Sequence, residues 1–215
     1  MYLYRLLQKT GVSYFLVQKG EQAGIVVSAI HHAPAGVSSL PSDRHKASDE
    51  SVGYLALKIA RKLKCSLIVA SNYFLDINKP DPNIREKKEN TDYLTWLFHN
   101  KPQILVEIHG HNGKKSEADI EISSGEHRQT HSIKFAEILR SRMKHSRFKR
   151  DYSVSGDYNK IYYKASEAVT VNSSEWLALH IELCPELRKD NSEANKIANC
   201  IAYSLKEFLV EGNYG

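Results

Sequence analysis

Three stretches of the chain share one pattern, an apolar run stopped by histidine or an acid beside a glycine or proline. They are Ile25-Val-Val-Ser-Ala-Ile30 running into His31-His32-Ala-Pro-Ala-Gly36, Ile104-Leu-Val-Glu-Ile-His109-Gly-His111-Asn-Gly113, and Leu177-Ala-Leu-His180-Ile-Glu182-Leu-Cys184-Pro185. Short runs rich in β-branched residues and closed by such breakers predict buried strands. Three strands that each end in His or Glu predict one site, gathered at one edge of one sheet.

The remaining pattern fills in an α/β order. Ser13 to Gln18 alternates as an edge strand, and Ser66 to Ala70 reads as a second buried strand. Between them Ser48-Asp49-Glu50 offers an N-cap with acids in the first helical turn, and Val52, Leu55, Ala56, Ile59, Ala60 and Leu63 follow at helical spacing. Helices are also predicted over Thr91 to Asn100, from Ile133 to Met143 and from Asp190 to Leu209, the last closing near Gly212. Ala118 to Ile122 predicts a short strand, Gly125 to Thr130 a loop, and Tyr152 to Ile161 short strands with a turn at Gly156-Asp157. The segment from His31 to Ala47, rich in Pro, Ser, Gly and His, is a loop long enough to be functional, and Asn72 to Asn90 is full of turn formers and charges, with prolines that exclude a regular element. The expected architecture is a single metallohydrolase-like α/β domain over residues 1–215, with a mixed, largely parallel sheet flanked by helices on both faces.

Composition narrows the partners. The 215 residues carry a formal charge of +5, with cations and acids interspersed except in Arg140-Ser-Arg-Met-Lys-His-Ser-Arg-Phe-Lys-Arg150. That cluster reads as a solvated helix end and loop rather than a nucleic-acid site. No apolar run approaches the roughly 20 residues that cross a bilayer. Met1-Tyr-Leu-Tyr-Arg5 has neither the apolar segment nor the cleavage site of a secretory signal, which sets the expectation of a cytoplasmic protein. Three widely spaced cysteines, Cys65, Cys184 and Cys200, suit neither a disulfide framework nor a CxxC zinc site. Cys184 lies near the expected site, but its apolar neighbourhood predicts an inert thiol.

Two histidines and a carboxylate form a common catalytic zinc sphere, because they hold the ion and leave a position open. The available ligands are His31 or His32, Glu50 or Asp49, and His109 or His111. Successive strand residues point to opposite faces, so His31 and His32 are not expected to share one sphere, and His31 is chosen. An acid inside a buried strand is costly unless paired, ligated or functional, which singles out Glu182 as a general base beside a metal. Lys79 could supply positive charge for a carboxylate-bearing substrate or be a solvent-exposed loop charge, and of these two readings Arg85 fits the second better.

Ser28-Ala-Ile-His31, Asp49-Glu50, Asp76-Ile-Asn78-Lys79-Pro80, Glu107-Ile-His109-Gly-His111 and His180-Ile-Glu182 together resemble the ordered motifs of the N-formylglutamate amidohydrolase family. That family is similar to the zinc carboxypeptidases and aspartoacylases and has the phosphorylase/hydrolase-like fold. The resemblance runs in short patches between Ile25 and Asp190. It implies metal ligands at His31, His109 and Glu50 or its neighbour Asp49, a catalytic glutamate at Glu182, and substrate binding by Asn78 and Lys79. Lysine stands at Lys79 where the family has arginine, and the tight His-x-x-Glu pair of carboxypeptidases is absent. The expected activity is zinc-dependent hydrolysis of an amide bond in an N-acyl amino acid or peptide-like substrate with a carboxylate. The alternative is a non-catalytic metal- or anion-binding member of the fold that engages a partner or nucleic acid through residues 140–150.

Overall fold

The computed structural model describes residues 2–37, 49–72 and 92–212. Within them, α1 (Tyr2–Leu7) and β1 (Tyr14–Gln18) precede β2 (Gln22–His32), α2 (Val52–Leu63), β3 (Cys65–Ser71), α3 (Asp92–Asn100) and β4 (Ile104–Gly110). Then come β5 (Ile120–Ser123), a 3-10 turn (Glu126–Arg128), α4 (Gln129–Met143), β6 (Val154–Ser155), β7 (Leu177–Leu183), α5 (Pro185–Lys189) and α6 (Asn191–Glu211). The strands form one mixed sheet in the order β1-β3-β2-β4-β7-β5-β6. Its centre, β3, β2, β4 and β7, is parallel; β1 joins β3 and β5 joins β7 antiparallel. The chain is therefore an α/β protein with a seven-stranded mixed sheet and helices on both faces.

Each central strand is buried on both sides, which is why it reads as a continuous apolar run rather than an alternation. On one face Val27, Ala29, Leu67, Val69, Val106, Ile108, Leu179 and Ile181 pack with the apolar stripes of α2, α4 and α6. On the other face Val26, Ile30, Ile68, Leu105 and Ala178 pack under Tyr93, Leu94 and Leu97 of α3 and under Trp176. This second layer is thinner, and it leaves the carboxyl ends of β4 and β7 to polar side chains.

Local departures from the expected elements have physical causes. α2 begins at Val52 with no acid in its first turn, so Asp49 and Glu50 precede the helix instead of capping its dipole. The backbone bends there through Ser51, whose φ of 70° lies in the left-handed region that a residue with a side chain adopts only under strain. The expected loop at Gly125 to Thr130 holds the 3-10 turn and the first residues of α4. In Tyr152 to Ile161 only Val154–Ser155 pairs as a strand, because hydrogen bonding there is to β5 alone, at the sheet edge. Pro185, expected only to stop β7, also opens α5, a position that needs no backbone N–H donor. No helix of the described residues is long and apolar enough to cross a membrane.

The basic segment is held within the chain. Arg142 pairs with Glu207, Lys149 with Asp190, and Arg150 reaches both carboxylate oxygens of Asp119 at 2.6 and 3.0 Å. Arg140 donates to the Val154 carbonyl at 3.0 Å.

Candidate metal centre

The parallel strands β2, β4 and β7 end side by side, and their last residues meet the turn that precedes α2. Strand alternation would send His31 to the face of α2, with Val27 and Ala29. The pairing of β2 with β3 slips between Ala29 and His32, however, and such an irregularity re-aims the side chains beyond it. His31 consequently turns to the open face, where its Nδ1 lies 3.2 Å from Asp49 Oδ2. His109, from β4, brings its Nδ1 to 3.1 Å from the same oxygen. Each of the three residues offers a donor atom within 4.8 Å of the others, and all three residues are buried.

The neighbouring histidines are engaged elsewhere. His32 points back at α2, with Nε2 3.1 Å from the Leu7 carbonyl and Nδ1 accepting the Gly53 N–H at 3.1 Å. Burial pushes its pKa down to about 4 against the pull of that carbonyl, so the ring is neutral near pH 7. Gly53 allows this contact, since a Cβ there would sit 2.6 Å from the His32 ring. His111 has both nitrogens occupied, Nε2 at 3.1 Å from the Asp119 carbonyl and Nδ1 accepting from Gly113 N–H at 3.1 Å.

Glu50 was the acid named first in the expected ligand set, and the structure turns it away from the histidines. Its Oε1 accepts the Gly36 N–H at 2.6 Å and its carboxylate pairs with Lys189. Glu50 also forms a β-bridge with Ala33, and of the two acids it is Asp49, in the turn before it, that faces the histidines. Burial by itself would raise the Asp49 pKa, but hydrogen bonds and charge from His109 and His31 outweigh it and hold the carboxyl well below the usual carboxylate range. Asn78 and Lys79, expected at the substrate, lie outside the described residues, as do Asp76 and Arg85.

Glu182 stands on β7 directly across from His109 on β4, and its carboxylate is buried. Oε1 lies 3.3 Å from His180 Nε2, whereas Oε2 is buried with no partner among the described residues. On the other side Glu121 of β5 is also in register with Glu182. It avoids a clash of like charges by turning to Ser116 Oγ at 2.5 Å and to the N–H groups of Tyr162 and Tyr163 at 3.0 and 2.8 Å.

Behind these residues lies a buried polar row that received no role from the sequence. His180 stacks on His109, ring centroids 4.2 Å apart, and its Nδ1 is 3.5 Å from Oε2 of Glu107. Glu107 is wholly buried, and its Oε1 accepts from Tyr93 OH at 2.6 Å and Thr170 Oγ1 at 2.9 Å. Burial disfavours charge on His180, but the flanking carboxylates of Glu107 and Glu182 prevail and push its pKa up to about 9. The signal for Glu107 was present: an acid amid Ile104-Leu-Val and Ile108 is as costly there as Glu182 is in β7.

Arg188 was also missed, because α5 is too short for a periodic pattern. Its guanidinium donates to the carbonyls of Leu183 at 3.2 Å, Glu50 at 2.6 Å and His111 at 2.9 Å, tying the ends of β7 and β4 to the turn that carries Asp49. Replacing it by methionine strands buried acceptors, and we expect a loss of about 2 to 4 kcal/mol of stability. Denaturant unfolding checks this; a midpoint equal to that of the wild type would show that water satisfies those carbonyls instead.

All three cysteines are buried, and burial pushes the Cys65 and Cys184 thiols up to about 12 and raises that of Cys200. The native protein is therefore expected to react slowly with a thiol reagent near pH 8 and to release all three thiols on unfolding. Rapid labelling of Cys184 in the folded protein would contradict this.

No protein-family model and no curated protein matches the sequence. Solved structures do match the fold. A bacteriophage poly-gamma-glutamate hydrolase superimposes with a TM-score of 0.56 at 10% identity, over 97% of this chain and 95% of that one. The gene product Atu2144 from Agrobacterium tumefaciens gives 0.54 at 13% identity, over 93% and 96%. The CwlD amidase from Clostridioides difficile, solved in complex with the GerS lipoprotein, gives 0.51 at 13% identity, over 87% and 99%. At these identities the likeness is one of fold, and nearly the whole chain takes part in it.

Proposed function

We propose that this protein is a zinc-dependent hydrolase that cleaves an amide bond in an N-acyl amino acid or peptide-like substrate bearing a carboxylate. The observation that carries this reading is the convergence of His31 Nδ1, Asp49 Oδ2 and His109 Nδ1 at the carboxyl ends of the parallel strands. Three buried donors aimed at one another need either protons or a cation among them. Two imidazoles and one carboxylate are a donor set that suits zinc and leaves it an open position. Oε2 of Glu182 on the adjoining strand, without a partner among the described residues, adds the second requirement, an acceptor held close to the centre. Two proteins that share the fold are by name a poly-gamma-glutamate hydrolase and an amidase, which supports an amide as the bond cleaved.

In this reading His31, Asp49 and His109 hold the ion, with Asp49 rather than Glu50 as the acid. A bound zinc supplies a Lewis acid that polarises a carbonyl and makes a water more acidic. Glu182 Oε2 takes a proton from the attacking water and later delivers it to the leaving amine. Asn78 and Lys79 remain our candidates for holding the substrate carboxylate, Lys79 as a point charge where a guanidinium would grip with two prongs.

The zinc-loaded protein is expected to hydrolyse at least one member of a panel of N-formyl, N-acetyl and γ-glutamyl amides. It should lose that activity on chelation and regain it when zinc is added. His109→Ala should lose both metal and turnover, and hydrolysis that persists after the metal has been removed would sink the reading.

A further inference from the structure

We infer that Glu107 and His180 are positioning residues that hold the Glu182 carboxylate with one oxygen tied back and the other presented to the reacting water. This rests on the reading of Glu182 as the proton acceptor and extends it to residues outside the proposed ligand set of His31, Asp49 and His109. The placement begins in the sheet register, which sets Glu107 opposite His180 and His109 opposite Glu182. All four side chains therefore share one face, two on each strand.

The His180 ring has a carboxylate at each nitrogen: Glu107 Oε2 at 3.5 Å from Nδ1 and Glu182 Oε1 at 3.3 Å from Nε2. Nε2 is within hydrogen-bonding distance of Glu182 Oε1 while Nδ1 faces the Glu107 carboxylate behind it, so the orientation of the ring fixes where Glu182 Oε1 lies. Stacking on His109 at an interplanar angle of 29° prevents the ring from swinging away. Glu107 is in turn anchored from two further elements, by Tyr93 of α3 and by Thr170 ahead of β7. Tyr93 OH also meets Ser28 Oγ of β2 at 3.0 Å. The row thus runs from Ser28 through Tyr93, Glu107 and His180 to Glu182, and it stops at Glu182 Oε2, which has no partner among the described residues.

A buried ionic row of this kind is weak as a stabilising device, since well-packed apolar residues often serve stability as well or better. The positions beside Glu107, Val106 and Ile108, are filled in that apolar way. What an ionic row does provide is a fixed direction, and outer hydrogen-bond partners that orient a reactive group are worth roughly 10-fold to 100-fold in activity.

The test uses the full chain loaded with zinc, with N-formylglutamate, N-acetylglutamate and γ-glutamyl oligomers as probes. Glu107→Gln and His180→Gln are expected to retain about one zinc per chain and a nearly unchanged KM. Their kcat should fall by roughly 10-fold to 100-fold. Because His180 acts through Glu182, the double variant H180Q/E182Q should be no slower than E182Q alone, a lack of additivity that general loosening of the site would not produce. A readout independent of turnover is the proton NMR spectrum of the protein. A low-field imidazole N–H signal of His180 Nε2 is expected, shifted in E182Q and, through the turn of the ring, in E107Q, and this still decides if H180Q fails to fold. A slow E182Q beside an H180Q and an E107Q of normal kcat would overturn the positioning role alone. So would strictly additive losses, or an N–H signal that neither variant moves. Unchanged turnover in E182Q, or no hydrolysis of any probe by the wild type, would remove the underlying reading and this inference with it.

Discussion

Glu182→Gln should leave a folded, zinc-binding protein whose turnover is lower by roughly 100-fold to 10,000-fold, the range for loss of a general acid–base group. In barrier height this is about 3 to 5 kcal/mol. Glutamine keeps the size of the side chain, and its amide oxygen can still accept from His180 Nε2, so the packing between β4 and β7 is retained. What disappears is the capacity of the second position, now Oε2, to take and return a proton. Steady-state kinetics on whichever amide the panel identifies, together with circular dichroism and metal analysis, separate the outcomes. Loss of zinc would make Glu182 a ligand, and full turnover would take it out of the reaction.

Asp49→Asn should abolish stable zinc binding, and Glu50→Gln should leave it intact. The contrast between adjacent acids follows from geometry, since Asp49 Oδ2 lies 3.1 Å from His109 Nδ1 and 3.2 Å from His31 Nδ1 while Glu50 faces Gly36 and Lys189. An amide is a far poorer zinc ligand than a carboxylate and brings no negative charge to the ion. Metal content per chain after dialysis against a weak chelator reads the difference directly. Retention by D49N with loss in E50Q would restore Glu50 as the acid and would require the turn before α2 to rearrange on binding.

The strands and long helices were legible because their signals are local. Ile25 to Ile30, Leu67 to Val69, Ile104 to Ile108 and Leu177 to Leu183 are apolar runs buried on both faces, and α2 and α6 repeat their apolar positions every three or four residues. The two short helices were not legible for the same reason in reverse. A six-residue α1 and a five-residue α5 are too brief for a period to emerge, and tertiary contacts hold them in place. His31 rather than His32 faces Asp49 and His109, by a route that alternation alone does not contain. The slip between Ala29 and His32 reverses the faces of both histidines, and nothing in Ala29-Ile-His-His32 announces it.

By itself, the sequence determined the α/β class, the burial of the three site-bearing strands and the end of each at which polar groups collect, because apolar period and breaker residues act within a few positions of the chain. Tertiary structure alone decided which polar groups meet. Asp49 joins His109 across 60 positions and Glu107 joins His180 across 73, through a strained turn at Ser51 in the first case and the β4–β7 register in the second. Burial is a property of each segment's own composition, whereas convergence depends on how segments far apart in the chain are paired and where their backbones bend.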